Sequence, residues 1–221
     1  MSLDLQLSAD EARVLGVLIE KSMTTPEQYP LSLNALMNGC NQKSNRSPVC
    51  FLEPDEIKAA MQGLREKQLA VEIWPSGGSR IAKFRHIAET GLGIQDKQAA
   101  ILAELLLRRA QMPGELRTRA SRMAPIESQS ELKQLLQELI AKGLVTQLPP
   151  AAGSRAESYD HCLCADVAAA PTAPAIAAPA PATPSTPAPP TSTPSASQLD
   201  AILERLDALE ARIADLEDRL N

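Results

Sequence analysis

The sequence predicts a mainly α-helical protein with small β-hairpins, laid out as two tandem copies of one unit, then a disordered linker, then a coiled-coil helix. Three observations predict it. Residues 56–86 align with residues 131–161 at a constant offset of 75, without a gap. Residues 165–198 are Ala, Pro, Thr and Ser almost throughout. Residues 199–221 carry apolar side chains at alternating spacings of three and four.

The repeat organises the front of the chain. Glu56/Glu131, Lys58/Lys133, Gln62/Gln137, Leu64/Leu139, Lys67/Lys142, Leu69/Leu144, Pro75/Pro150, Gly78/Gly153, Ser79/Ser154, Arg80/Arg155 and His86/His161 are identical across the offset. Ile57/Leu132, Met61/Leu136 and Phe84/Tyr159 are apolar in both copies. Self-similarity at a fixed period marks a duplicated module, and two copies are too few for a solenoid.

In the first copy, Ser8 and Glu11 form a capping box ahead of a helix whose stripe is Val14, Leu15, Leu18 and Ile19. Leu33, Leu36, Met37 and Cys40 mark a shorter second helix. A third begins at Pro54, whose missing N–H suits a first turn, and Asp55 and Glu56 complement its dipole. Ile57, Met61 and Leu64 are its buried stripe. "VEIW" and "IAKFRH" then flank a Gly-Gly turn, the pattern of a hairpin. The second copy repeats this order with "DKQAAILAELLLRRA", "PGELRTRAS", "SQSELKQLLQELIAKG", "LVTQL" and "ESYDHC". Ser128 and Glu131 cap its third helix and Gly143 ends it. Gly78 and Gly153 permit the tight hairpin turns. Three helices followed by a hairpin, the second helix short and the third long, is the winged helix-turn-helix plan. The domains are therefore 5–90 and 94–164, with a linker at 165–198 and an oligomerisation helix at 199–221.

Several stretches carry a family resemblance: "YPLSLNALMNGCNQKSNRSPV" (Tyr29 to Val49), "LREKQLA" (Leu64 to Ala70), "GSRIAKFRH", "QMPGELRTRA" (Gln111 to Ala120) and "GSRAESY". Over residues 5–164 the chain resembles the YceH-type family of uncharacterised bacterial proteins, which carry two winged-helix domains in tandem. The resemblance implies a fold and no activity.

Proline blocks helix and ladder alike, so the linker is semi-extended and reaches about 100 Å if fully polyproline II. After it, Leu199, Ile202, Leu206, Leu209, Ile213, Leu216 and Leu220 hold an unbroken a/d heptad register. Arg205 and Arg212 at g face Glu210 and Glu217 at e of a parallel partner. The pattern predicts self-association, with a dimer favoured, over an amphipathic helix docked on its own domain.

Net charge is −5, but residues 1–164 balance 19 basic against 19 acidic side chains, and the tail supplies the excess. The front therefore shows neither a basic footprint nor a bar to nucleic acid. With one Trp, two Tyr and two Phe, composition argues against a surface that stacks bases on rings. No apolar run is long enough to span a membrane and no secretory signal is evident, so a cytoplasmic protein is expected. Cys40, Cys50, Cys162 and Cys164 form no CxxC pair. "HCLC" splits His161 from Cys162 and Cys164 across a strand, so buried thiols are expected rather than a metal site.

No Gly-rich phosphate loop, HExxH or GxSxG occurs, and His86 and His161 occupy equivalent repeat positions, which points away from an enzyme and from any cofactor. DNA binding is the first functional expectation. Its candidate residues are Lys43 and Arg46 in "NQKSNR", Arg80, Lys83 and Arg85 on the first hairpin, and Arg117, Arg119 and Arg122 around the second copy's second helix. Against it, the third helix of copy one opens with Glu53, Asp55 and Glu56, and the second hairpin carries Glu157 and Asp160. The alternative is a protein-interaction scaffold that uses winged helices as docking units, an analogy of fold alone.

Overall fold

The structure, a computed structural model, describes residues 5–74, 81–150 and 157–164. Helix α1 (Ala9–Thr24) starts at Ser8, whose side chain accepts from Glu11 N while Glu11 accepts from Ser8 N. A two-residue strand β1 (Leu31–Ser32) leads into α2 (Leu33–Cys40), and α3 (Pro54–Glu66) follows. Strands β2 (Ala70–Ile73) and β3 (Lys83–His86) form an antiparallel hairpin, with β1 added on the far side of β3. A short helix α4 (Ala88–Leu92) leads to α5 (Asp96–Arg108), α6 (Pro113–Ala120) and α7 (Gln129–Ala141), and the hairpin β4 (Val145–Leu148) and β5 (Ser158–His161) closes the order. The molecule is thus mainly helical with small antiparallel hairpins.

The offset of 75 survives in three dimensions. It maps α3 onto α7, β2 onto β4 and β3 onto β5, residue for residue. It also maps the register, for Ala70 pairs with His86 and Val145 with His161. Leu31 pairs with Phe84, and Gln111, with backbone bonds of 3.0 and 2.9 Å to Tyr159, stands in the same place in the second copy. Gly143, at φ +73°, ends α7 in the left-handed region that suits glycine. One capping detail differs: Ser128 accepts from Glu131 N as expected, but Glu131 reaches back to Glu127 N instead of Ser128 N.

The copies do not stand apart. Buried side chains of both form one continuous core. Its axis is α1 against α5, and each is buried on all sides through its middle, Glu11–Ile19 and Gln98–Leu107. A helix apolar on one stripe covers one neighbour, whereas one buried all round lies between two. Here each first helix packs its own copy on one side and its counterpart on the other. Gly16 makes the close approach possible, since a Cβ there would lie 2.9 Å from Leu107 Cγ. At the other end Leu7 N donates to Leu163 O at 2.6 Å, in a parallel bridge that joins the first and last described segments.

Arg80, Gly78, Gly153, the linker and the heptad residues Leu199, Ile202, Leu206, Leu209, Ile213, Leu216 and Leu220 lie outside the described residues. Among the described residues no helix is long and apolar enough to cross a membrane.

Candidate nucleic-acid interface

The expected cationic residues fall into three places with different electrostatics. The loop between α2 and α3 holds Lys43 and Arg46. Asn41 closes it, accepting from Leu52 N (2.8 Å) and donating to Leu52 O (2.9 Å). Lys43 is exposed, but Arg46 is buried and its side chain is fully inaccessible. Its Nη2 donates to Glu20 Oε2 at 2.6 Å, its Nε to Gly39 O at 3.0 Å and its Nη1 to Asn45 O at 2.8 Å. Arg46 was expected to meet a phosphate; the structure instead holds its guanidinium against Glu20, Gly39 O and Asn45 O.

A cluster of guanidiniums continues across the junction of the copies. Arg108 pairs with Glu104 at 3.1 Å and donates to Asn45 Oδ1 at 2.5 Å. Burial pushes the Glu104 carboxyl above its ordinary range, and nearby Arg108 opposes that push. Arg119 donates to Gln111 Oε1 at 2.6 Å and lies 3.8 Å from Glu115. Arg117 donates to Ile126 O and Glu127 O at 3.2 and 3.4 Å, holding the loop before α7. Both Arg117 and Arg119 are therefore engaged internally. Arg122 is exposed and makes no ion pair among the described residues. A crevice of about 270 Å³ lies between Asn45, Arg108 and Arg119.

The first hairpin is different. Its register places Val71 opposite Arg85 and Ile73 opposite Lys83, so these four side chains share one face. Ile81, two residues before Lys83, is 63% exposed. Phe84 and His86 point the other way and are buried, and Glu72 shares their face and pairs with Arg65 at 3.0 Å. The described part of the outer face thus carries cations and apolar side chains but no acid. Lys83 and Arg85 make no ion pair among the described residues.

The second hairpin lacks this character. Position 160, equivalent to Arg85, is Asp160, which is buried and lies 3.4 Å from Arg109 Nε. Next to it His161 is inaccessible, and burial followed by the Arg109 charge lowers its pKa to about 4. The α3 start remains acidic, with Glu53, Asp55 and Glu56 all exposed. Cys40 and Cys164 are buried, and burial pushes the Cys40 thiol up to about 12; Cys50 and Cys162 are half-buried. Among the described residues no group of three or more His, Cys, Asp or Glu converges on a metal position.

Two features lie beyond sequence reading. The partnership of Glu20 with Arg46 spans 26 residues and follows no local pattern. The exposure of Phe51 and Trp74, 74% and 63%, sets two of the five aromatics on the surface.

A family described as "protein of unknown function, DUF480" matches residues 7–154. The chain belongs to this family. Its relatives carry the name UPF0502 protein. The chain is 50% identical over 167 residues to the UPF0502 protein of Pelobacter propionicus, covering 75% of both chains. It is 47% identical over 159 residues to that of Geotalea daltonii, covering 71% of this chain and 72% of the relative. The match to the UPF0502 protein of Acidovorax sp. is 40% identical over 222 residues and takes in 95% of this chain and 89% of the relative. UPF0502 membership agrees with the resemblance read from the sequence, and the family is uncharacterised.

Proposed function

We propose that this protein is a non-enzymatic DNA-binding protein, built as two tandem winged helix-turn-helix units, that meets DNA through the hairpin of the first. The outer face of β2 and β3 carries the reading: Lys83 and Arg85 stand without a described ion pair beside Val71, Ile73 and Ile81, with no described acid among them. Phosphates attract such a face, whereas exposed Glu53, Asp55 and Glu56 disfavour a helix-first approach by α3. Lys43 and Arg122 are the other exposed cations of the candidate set.

Fluorescence anisotropy of a labelled duplex tests it. Binding is expected to weaken steeply between about 50 and 200 mM salt. Lys83→Glu with Arg85→Glu is expected to weaken all sequences alike and to reduce the salt slope by about 2. No retention of duplex at low salt removes the reading in favour of a protein-interaction scaffold. The engagement of Arg46, Arg117, Arg119 and Asp160 in internal contacts is the observation on the scaffold's side.

The heptads of residues 199–221 are read as joining copies, a dimer first, through the Ala/Pro linker. Tethering of that kind raises the local concentration of weak sites. Light scattering of the full chain against one ending at residue 198 is expected to show a fall in mass by at least half, and equal protomer counts exclude the coil.

A further inference from the structure

The crevice of about 270 Å³ at the junction of the copies is walled by both of them. On one side is the loop between α2 and α3, with Asn45 and Ser47. On the other are Arg108 at the end of α5 and Arg119 in the last turn of α6. Ser47 N donates to Leu107 O at 2.9 Å and Arg108 Nη2 to Asn45 Oδ1 at 2.5 Å, so the two walls are fastened to each other.

These side chains carry more donors than their own contacts use. Among the described residues no hydrogen bond takes up Arg108 Nη1, Arg119 Nε and Nη2, Asn45 Nδ2 or Ser47 Oγ. Cations also outnumber the carboxylates that answer them. Arg46 has Glu20 and Arg108 has Glu104. Arg119 has only exposed Glu115, at 3.8 Å, a long ion pair that water screens. Arg122 stands near with no described ion pair. Burial lowers the Arg108 guanidinium below its ordinary range; Glu104 opposes this, and the charges of Arg119, Arg122 and Arg46 add to it. Cations crowded in this way are relieved by an anion placed among them.

We infer that this crevice binds a small tetrahedral oxyanion, inorganic phosphate or the phosphoryl end of a small polar phosphate monoester, with Arg108 and Arg119 on its oxygens and Asn45 and Ser47 donating beside them. Guanidinium forks match phosphate oxygens in geometry as well as charge. The volume lies just under the roughly 300–1,000 Å³ of pockets for drug-sized ligands, which suits a phosphoryl group with a short substituent. A duplex phosphate suits it less, because the Arg108 and Arg119 side chains are recessed, 15% and 30% exposed. The inference does not rest on the DNA reading, whose failure leaves it standing.

Isothermal titration calorimetry of the full chain tests it, in buffer free of phosphate and sulfate and at fixed ionic strength. The probes are inorganic phosphate and glycerol phosphate. Saturating heat at one site per chain is expected, and the tighter probe names the source of the phosphoryl group. Arg119→Gln is expected to weaken it on the order of tenfold, the size of a lost charge-assisted hydrogen bond. Arg119→Lys, which keeps the charge and loses the fork, is expected to fall between. Since Arg119 also donates to Gln111, urea unfolding without anion checks that these variants fold. Ser47→Asp is a second variant, on an exposed side chain, that sets a carboxylate at the crevice and is expected to abolish binding. Lys83→Glu with Arg85→Glu is expected to leave anion affinity unchanged. No saturating heat from either probe overturns the site, as does a folded Arg119→Gln or Ser47→Asp that binds like the wild type. Loss of duplex binding in Arg119→Gln, with no heat from either probe, assigns these arginines to a DNA backbone and overturns it too.

Discussion

Glu20→Ala is expected to destabilise the fold by about 3–5 kcal/mol, the usual cost of stripping one partner from a buried ion pair. The Arg46 side chain is wholly inaccessible, and Glu20 receives both its Nη2 at 2.6 Å and its Nη1 at 3.3 Å. Removing the carboxylate leaves a buried guanidinium without its counter-charge, although Gly39 O and Asn45 O still accept from it. Lys21, 3.5 Å from Glu20, is partly exposed and rehydrates readily. Urea unfolding checks the size of the effect. The double variant Glu20→Leu with Arg46→Met is expected to recover most of the loss, because the two apolar side chains remove both desolvation costs together. If Glu20→Ala costs under about 1 kcal/mol, the pair behaves like an exposed one, and Arg46 returns to the list of phosphate contacts.

The second large effect is on pH dependence. His161 is held neutral, its folded pKa lowered to about 4 from the ordinary 6.5 by burial and then by Arg109. A depressed folded pKa means that the unfolded chain takes up the proton first. The neutral imidazole therefore contributes full stability above pH 6.5, and that contribution falls as pH drops from about 6.5 to about 4. The total is about 3 kcal/mol, since each pH unit between the unfolded and folded pKa values is worth about 1.4 kcal/mol. His86 is lowered by burial in the same direction, against the opposing pull of Glu89. Asp160 and Glu104, both raised by burial, titrate with the opposite sign and offset part of the loss at the acid end. The measurement is therefore a difference: unfolding free energy of wild type against His161→Gln at steps from about pH 7 to about pH 4. The variant is expected to be less stable at neutral pH and to show a flatter acid limb, and parallel curves would contradict the buried neutral histidine.

The elements are legible in the sequence because they repeat. A stretch such as "LREKQLA" with its counterpart 75 residues on gives helix, corner and strand twice, and the coordinates place α3 and α7, and the two hairpins, at that displacement. The strand β1 and the helix α4 escape such a reading because two and five residues carry no usable period. The shared core is half visible. "AAILAELLL" is too apolar for a helix with one covered face, yet periodicity by itself yields only a stripe. At the candidate site the outcome divides by range. Lys83 and Arg85 opposite Phe84 follow from strand alternation alone, and the structure keeps them on one face. Arg46 reads as a loop cation because nothing in "NQKSNR" announces a carboxylate 26 positions upstream. Arg109 stands against Asp160, a partner only the fold supplies.

The bridge from Leu7 to the stretch ending at Cys164 makes the folded body a loop fastened at its own clasp. The stretch ending at Cys164 therefore lies beside the segment that enters α1, not on the far side of the second copy. Trimming at either extremity loosens the same seam, so a deletion before Ser8 is felt in the second hairpin although most of the polypeptide lies between them.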